Sequence, residues 1–290
     1  MSNFVIVTDS CADLTAELVA QLDVKVIPLT YLMDDKEYVD NPLNPDMEPA
    51  EFYNKLRGGK TATTAAINVG TYAETLEPLL AEGNDVLVLA FSSGLSTTYN
   101  SGMIAAEELR EKYPERKLYI VDTLCASLGE GLLVAHAAHK RDEGMTIEQV
   151  RDWVEENKLN LCHQFTVDDL FFLKRGGRVS AATAMLGTML SIKPVMHVDD
   201  EGHLTKVGTA RGRGASIKAL ADKMEKTAIN PAEQIVYICH GDCLDDARKL
   251  ADMVQERMGV KEVMIGYTGP VIGAHSGPGT LALFWLGTQR

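Results

Sequence analysis

The sequence lacks long apolar runs and segments of biased composition. No stretch approaches the roughly 18 consecutive apolar residues of a membrane-spanning helix. Met1 to Phe4 lead into a strand pattern instead of a basic, apolar targeting signal. The composition is ordinary for a globular protein, with 46% hydrophobic and 24% charged residues. These absences predict a cytoplasmic globular protein without stable membrane insertion.

Cysteine is scarce, and its spacing shows neither a disulfide framework nor a metal site. The five cysteines are odd in number and mostly far apart, which argues for reduced thiols. Cys239 and Cys243 form a C-x-x-x-C pair, but no partner ligands follow at a zinc spacing. We therefore predict no metal and no structural disulfide.

A positive net charge is also absent. The chain carries 28 basic and 41 acidic residues, a net charge of −13, which argues against nucleic-acid binding. Residues 174–218 depart from this balance, with eight basic and three acidic side chains. Guanidinium groups concentrated in this way are typical of a surface that binds a phosphoryl group or a partner's acids; the alternative is intramolecular salt bridges. The candidate docking residues are Arg175, Arg178, Arg211 and Arg213.

Two catalytic motifs are incomplete. Gly58 to Thr61 resembles the end of a phosphate-binding loop, but Asn54 stands where that motif requires its first glycine. Ser92 to Gly94 lacks the leading glycine of a nucleophile elbow, so a serine-hydrolase triad has no support. The sequence therefore favours a binding protein over a self-sufficient enzyme.

Short apolar, β-branched runs alternate with amphipathic stretches in the first half of the chain. The runs predict buried parallel strands and the stretches predict helices, which together imply βαβ crossovers. The predicted strands are Phe4 to Thr8, Val24 to Leu29, Asp85 to Ala90 and Leu118 to Val121. The predicted helices are Leu14 to Leu22, Tyr72 to Ala81, Thr98 to Tyr113 and Gly129 to Arg141.

The second half of the chain predicts a mixed sheet. A hairpin pattern runs from Lys193 to Arg211 and turns at Asp200 to Gly202. We predict an α/β fold with two domains, a mostly parallel Rossmann-like sheet domain over residues 1–160 and a mixed-sheet domain over residues 161–290. No Pro- or Ser-rich linker marks the boundary, so segments of the two domains can interleave.

Candidate polar residues lie at three places, two of which directly follow predicted strands. Asp9 and Ser10 end the first strand, where a parallel sheet faces its ligand crevice; helix capping is the alternative. Ser92 to Ser96 places hydroxyls between a strand and a helix, which is typical of an anion site. Lys60 to Thr64 is a hydroxyl-rich predicted loop, either functional or simply solvated.

One histidine is surrounded by backbone-constraining residues. Between positions 266 and 279, glycines and two prolines flank His275, which specifies a tight backbone path. We interpret His275 as functional; the alternative is a structural histidine with satisfied hydrogen bonds.

The order and spacing of these segments resemble the DegV family over the whole chain. No single segment carries the resemblance alone. The matching segments are Thr8 to Leu14, Lys60-Thr61, Ser92 to Ser96, Val121-Asp122 with Ala126 to Gly131, Leu173 to Arg178, and the Gly- and Pro-rich run through His275.

The resemblance implies a two-domain α/β protein with a long-chain fatty acid enclosed between the domains. It places the carboxylate on Thr61, Ser93 and His275. Proteins similar to this often have Ser-Gln-Pro after the loop threonine, whereas this chain has Ala62-Thr63-Thr64, so Thr63 is an alternative to Thr61. Another departure is Thr97, where glycine is frequent. Further candidate contacts are Asp9, Ser10, Thr63, Ser92, Gly94 and Ser276.

The resemblance also implies a lipid-binding carrier that needs no cofactor. Its ligand would be palmitate, stearate or oleate, and a separate fatty-acid kinase protein would convert the presented carboxylate to acyl phosphate for phospholipid synthesis. The small and pliable side chains of Ala181 to Ile192 are the expected tunnel wall for the acyl chain. The alternative is a phosphotransferase or small-molecule kinase-like enzyme on a related scaffold.

Overall fold

The computed structural model describes residues 4–180 and 192–290, in which strands and helices alternate. The strands are β1 (Phe4–Asp9), β2 (Val24–Ile27), β3 (Leu29–Met33), β4 (Lys36–Asp40), β5 (Ala62–Ala65), β6 (Asp85–Ala90), β7 (Leu118–Asp122), β8 (Leu161–Thr166), β9 (Ile192–Val198), β10 (Leu204–Arg211), β11 (Ile235–His240), β12 (Glu262–Tyr267) and β13 (Leu281–Leu286). The helices are α1 (Ala16–Leu22), α2 (Pro49–Arg57), α3 (Val69–Ala81), α4 (Thr98–Lys112), α5 (Leu128–Asp142), α6 (Ile147–Asn157), α7 (Leu170–Arg175), α8 (Arg213–Thr227), α9 (Leu244–Met258) and α10 (Pro270–Ser276). The predicted α/β class is confirmed.

The first sheet is entirely parallel, as the alternating pattern predicted. Its strand order is β2-β1-β6-β7. Because successive side chains of a strand point to opposite faces, each apolar run contributes to two hydrophobic cores, one on each face of the sheet. Ile6 and Leu87 pack on the side of α5, whereas Val7 and Val86 pack on the side of α3 and α4. The loops at the carboxyl ends of these strands form one wall of the cavity described below.

The second sheet is mixed and has six strands in the order β10-β9-β8-β13-β11-β12. The predicted hairpin is present as β9 and β10, which pair antiparallel. Helices α8 and α9 cover one face, and α5 contacts the other. Helix α5 also contacts β1, so it lies between the two sheets and is buried over most of its length. The predicted division at residue 160 stays a prediction, although this sheet takes all its strands from residues after it.

A third, antiparallel sheet, β4-β3-β5, was not predicted. The expected single strand Val24 to Leu29 is divided at Pro28, which lacks the backbone N–H that a continuous ladder requires. The expected loop Lys60 to Thr64 is wrong in its second half, because Ala62–Ala65 forms β5. Its partner is β3, with Thr64 opposite Tyr31. This pairing joins segments about 30 residues apart, which no local pattern announces.

The hairpin turn of the mixed sheet lies on the loop that follows β6. The Ser92 hydroxyl donates to the Gly202 carbonyl at 2.9 Å. A Cβ at Gly94 would lie 2.7 Å from the Glu201 carbonyl oxygen, so the two backbones are in close contact. Across the described ranges 4–180 and 192–290, no helix is both long and apolar enough to cross a membrane.

Glu130 is a fully buried carboxyl on the central helix α5. Its Oε1 accepts from the Thr8 hydroxyl at 3.0 Å, and within residues 4–180 and 192–290 its Oε2 has no hydrogen-bond partner. Burial, with a smaller contribution from Asp9 nearby, raises the pKa of Glu130 well above its usual value. Burial likewise raises the pKa of Asp9 to about 6. Burial therefore favours the protonated form of Glu130 in the folded protein.

We expect Glu130→Gln to stabilise the protein at pH 8 and to change stability little at pH 4. A raised pKa in the folded state contributes stability that is full below the unfolded pKa and is lost as pH rises toward the folded value. Glutamine has the same shape but does not ionise. One pKa unit corresponds to about 1.4 kcal/mol, so the gain in unfolding free energy at pH 8 should be about that or more. Urea unfolding at several pH values measures it.

Glu143→Gln, at the exposed C-terminal end of the same helix, is the matched control and should show no such pH-dependent gain. An equal loss of stability for Glu130→Gln at every pH would contradict the protonated state assigned to Glu130.

Candidate functional site

A cavity of about 490 Å³ lies where the three sheets meet. The loop after β6 contributes Phe91 to its wall, the mixed sheet contributes Phe165 and Phe284, and helix α7 contributes Leu173. The position agrees with the rule that open parallel sheets bind ligands beyond the carboxyl ends of their strands. Most of the wall is apolar, with polar groups at a few places, as in sites for extended apolar ligands.

A hydroxyl and an imidazole face each other in this cavity. The Thr64 Oγ1 and the His275 Nε2 are 2.8 Å apart, a hydrogen bond between residues separated by 211 positions in the sequence. Ser93, Ser96 and Arg178 line the same cavity. Neutral donors and one guanidinium are therefore available to an anionic group.

The threonine that reaches the cavity is Thr64, which corrects the expectation for Thr61 or Thr63. Ala62–Ala65 is a strand, so alternate side chains point to opposite faces. Thr61 and Thr63 are exposed and do not line the cavity, whereas Thr64 is half-buried and does. The predicted loop gave no basis for choosing among these threonines, because side chains in a loop do not alternate between two faces.

His275 lies in the last turn of helix α10, within the segment framed by glycines and prolines. Burial, and then the charges of Arg178 and Arg175, lower the pKa of His275 to about 4. The imidazole is therefore neutral at physiological pH. Its Nδ1 is buried and has no hydrogen-bond partner in residues 4–180 and 192–290.

Helix α10 is held by side chains from the first half of the chain. The backbone N–H of Gly269 donates to Asp13 Oδ1 at 3.0 Å, and that of Val271 donates to Asp40 Oδ2 at 3.4 Å. The Tyr53 hydroxyl donates to the Thr268 carbonyl at 2.8 Å. These three residues orient the helix that carries the imidazole. They could not be identified from the sequence, because they are distant from α10 along the chain.

Four of the further candidate contacts do not line the cavity and instead have structural roles. Asp9 accepts from the backbone N–H groups of Cys11 and Phe91, at 3.0 and 2.9 Å. The Ser10 hydroxyl accepts from the backbone of Leu29. Ser92 and Gly94 hold the hairpin turn described above.

Ser276 does line the cavity, next to His275 in the sequence. Its Oγ is buried and finds no hydrogen-bond partner in the part of the chain that the structure describes. His163 also lines the cavity and was missed by the sequence analysis, since a histidine within a strand pattern carries no local signal. Its Nε2 accepts from the backbone N–H of Ala126 at 3.2 Å, and its Nδ1 lies 3.0 Å from the Leu161 carbonyl.

The four candidate docking arginines separate into two pairs. Arg175 and Arg211 are exposed, and the Arg175 guanidinium stacks 4.7 Å from the centre of the Phe172 ring. Arg178 instead faces the cavity and donates through Nε to the Leu95 carbonyl at 3.2 Å.

Arg213 forms intramolecular ion pairs. Its Nε lies 2.8 Å from Asp246 Oδ2, and its Nη1 lies 3.7 Å from Asp168 Oδ1. The alternative of intramolecular salt bridges therefore applies to Arg213, whereas Arg178 donates to backbone carbonyls. The expected tunnel wall from Ala181 to Ile192 lies, except for Ile192, outside the described residues.

Comparisons with known proteins agree over nearly the whole chain. The model of a family described as "Uncharacterised protein, DegV family" matches residues 3–288. A DegV domain-containing protein of Clostridium perfringens is 48% identical over 290 residues, which cover 100% of this chain and 99% of the relative.

Solved structures of similar proteins have the same fold. One, described as fatty acid binding of a DegV family protein from Thermus thermophilus, has a TM-score of 0.87 and 32% identity and covers 97% of this chain and 98% of the other. Another, from Thermotoga maritima and described as revealing a fatty acid binding function, has a TM-score of 0.84 and 29% identity, covering 98% and 99% of the two chains.

Proposed function

The chain belongs to the DegV family, and from that premise we propose that it is a carrier that encloses one long-chain fatty acid and presents the carboxylate to a separate kinase. The observation that carries the proposal is the apolar cavity with Thr64 and His275 paired inside it. Palmitate, stearate and oleate are the expected ligands. The fatty-acid-binding relatives support the same ligand class.

The polar groups suit a carboxylate that must be held and then released. A carboxylate that enters an apolar cavity loses hydration worth several kcal/mol and must recover it from directed donors. Thr64, Ser93 and His275 would supply neutral donors, with Ser276 as a further hydroxyl. Arg178 adds a positive charge, but two of its N–H groups already donate to the carbonyls of Leu95 and Gly176.

The exposed arginines are the proposed contact with the kinase. Arg175 ends helix α7, whose next residue, Gly176, lies against His275. Arg211 is the last residue of β10. Two residues later, Arg213 forms an ion pair with Asp168, which lies just before helix α7. Guanidinium groups beside the carboxylate site would pair with acids of the kinase or with the phosphoryl group that it transfers.

The phosphotransferase alternative has less support. It requires a carboxylate to hold a metal, and the candidate for that role is Asp9, at the end of β1. Asp9 is 1% exposed, and its two carboxylate oxygens accept from backbone N–H groups of Cys11 and Phe91. Its carboxylate is therefore committed to the fold.

We expect the purified protein to carry about one fatty acid per chain, detectable by native mass spectrometry and by lipid extraction. Removing the lipid should lower the melting temperature, because a ligand at 100 times its Kd adds roughly 2.7 kcal/mol to the stability of the folded state. Adding palmitate or oleate should restore it. Protein without extractable lipid, together with no thermal shift in either acid, would refute the carrier function.

A further inference from the structure

The imidazole of His275 is bounded on one side by Gly176, in the turn after α7. A Cβ built on Gly176 would overlap His275 Nδ1 and would lie 3.1 Å from Cγ. Real Cβ atoms do not approach neighbouring atoms so closely. Any side chain at position 176 would therefore displace the ring from its present position beside Thr64.

Backbone conformation does not explain this glycine. Gly176 has φ −72° and ψ −6°, which any residue adopts. The next residue is the opposite case: Gly177 has φ +72°, and within residues 4–180 and 192–290 no atom lies within 4 Å of a Cβ built there. Position 177 thus requires glycine for its conformation, and position 176 requires it for space.

The turn and the histidine are held in register by a second close contact. A Cβ at Gly277, two residues after His275, would lie 2.6 Å from the Phe172 ring. Phe172 belongs to α7, the helix that ends just before Gly176. Helix α7 and the segment 275–277 are thus packed directly on each other.

The contact with Gly176 also bears on which nitrogen carries the proton. Nδ1 is buried and, among residues 4–180 and 192–290, has no hydrogen-bond partner. On the Gly176 side, Nδ1 faces that residue's Cα hydrogen, a weak donor that tolerates a lone pair but cannot accept an N–H. A buried N–H without an acceptor is costly. The neutral ring should therefore carry its proton on Nε2, the atom that lies 2.8 Å from the Thr64 hydroxyl.

We propose that Gly176 is the positioning residue of the carboxylate site: its missing side chain seats the His275 ring against Thr64 and keeps the ring in the Nε2–H form. This proposal rests on the proposed fatty-acid binding. Nε2–H then donates to an oxygen acceptor in the cavity, either the Thr64 hydroxyl or the ligand carboxylate.

Gly176→Ala should weaken palmitate binding by delipidated protein about 10- to 100-fold, the loss expected when one hydrogen bond to a charged group is removed. Isothermal titration calorimetry measures the change. Gly177→Ala is the matched control in the same turn. It should lower the melting temperature because of its positive φ, yet leave palmitate affinity within about twofold, since the alanine methyl group meets no neighbour among the residues that the structure describes.

A double-mutant cycle separates positioning from general damage. In a His275→Ala background there is no ring to displace, so Gly176→Ala should cause no further loss of affinity. An undiminished loss in that background would overturn the proposal. If Gly176→Ala fails to fold, the double variant should fold again, because the clash is relieved; failure of both variants would also overturn it.

Nitrogen NMR of protein labelled in its histidines reports which ring nitrogen of His275 carries the proton. A purely structural role of Gly176 would leave that tautomer unchanged when Gly176 is replaced. The wild type should show the Nε2–H form of His275, and Gly176→Ala should shift or mix the two forms. An Nδ1–H form in the wild type would refute the proton assignment. Absence of palmitate binding by the wild type would instead refute the proposed function, and the NMR experiment would still test the role of Gly176.

Discussion

Thr64→Val should weaken fatty-acid binding by about 1.5 to 3 kcal/mol, or roughly 10- to 150-fold in Kd. Valine keeps the shape and strand preference of threonine but removes the hydroxyl. The substitution therefore deletes the partner of His275 Nε2, a hydroxyl that we propose as a donor to the carboxylate. Titration of delipidated protein with palmitate measures the effect, and an unchanged melting temperature of the lipid-free variant would show that the fold is intact.

Two nearby threonines serve as controls, Thr63 in β5 and Thr61 just before that strand. Thr61→Val and Thr63→Val make the same chemical change on side chains that are exposed and do not line the cavity. Both variants should bind palmitate with wild-type affinity. A loss of binding for Thr61→Val or Thr63→Val, with Thr64→Val silent, would mean that the threonine of the carboxylate site has been assigned to the wrong face of the strand.

The double variant Arg175→Ala/Arg211→Ala should keep its fatty acid and its melting temperature, yet support acyl-phosphate formation by the cognate kinase at least about tenfold less well. The two side chains are exposed, so little stability depends on them. Their guanidinium charges would guide association with an acidic partner, which is a salt-dependent contribution. Wild-type coupling should therefore weaken as ionic strength rises, and the variant should show a smaller salt dependence.

Two other arginines distinguish docking from general loss of charge. Arg248→Ala removes an exposed arginine of α9, outside the basic stretch, and should couple normally. Arg213→Ala breaks the ion pair with Asp246, so it should lower the melting temperature. The docking role of Arg175 and Arg211 is wrong if their replacement removes the lipid or unfolds the protein while the remaining folded fraction couples normally to the kinase.

Several elements could be predicted from the sequence because their determinants are local. The apolar runs of β1, β6 and β7 and the amphipathic pattern of α4 repeat at the strand and helix periods, and those periods follow from backbone geometry alone. The hairpin of β9 and β10 carried its own turn signal. His275 was identifiable from its glycine and proline neighbours, and the ligand class came from the resemblance to a family.

The composition of the site was decided by tertiary structure. Which threonine faces the cavity depends on β5 pairing with β3, since a strand exposes alternate residues and a loop does not. The orientation of α10 depends on Asp13 and Asp40, more than 200 residues away in sequence. The need for glycine at position 176 arises only where α7 meets the His275 ring. These contacts join distant parts of the chain through packing and directed hydrogen bonds. They cannot be predicted from patterns among sequence neighbours.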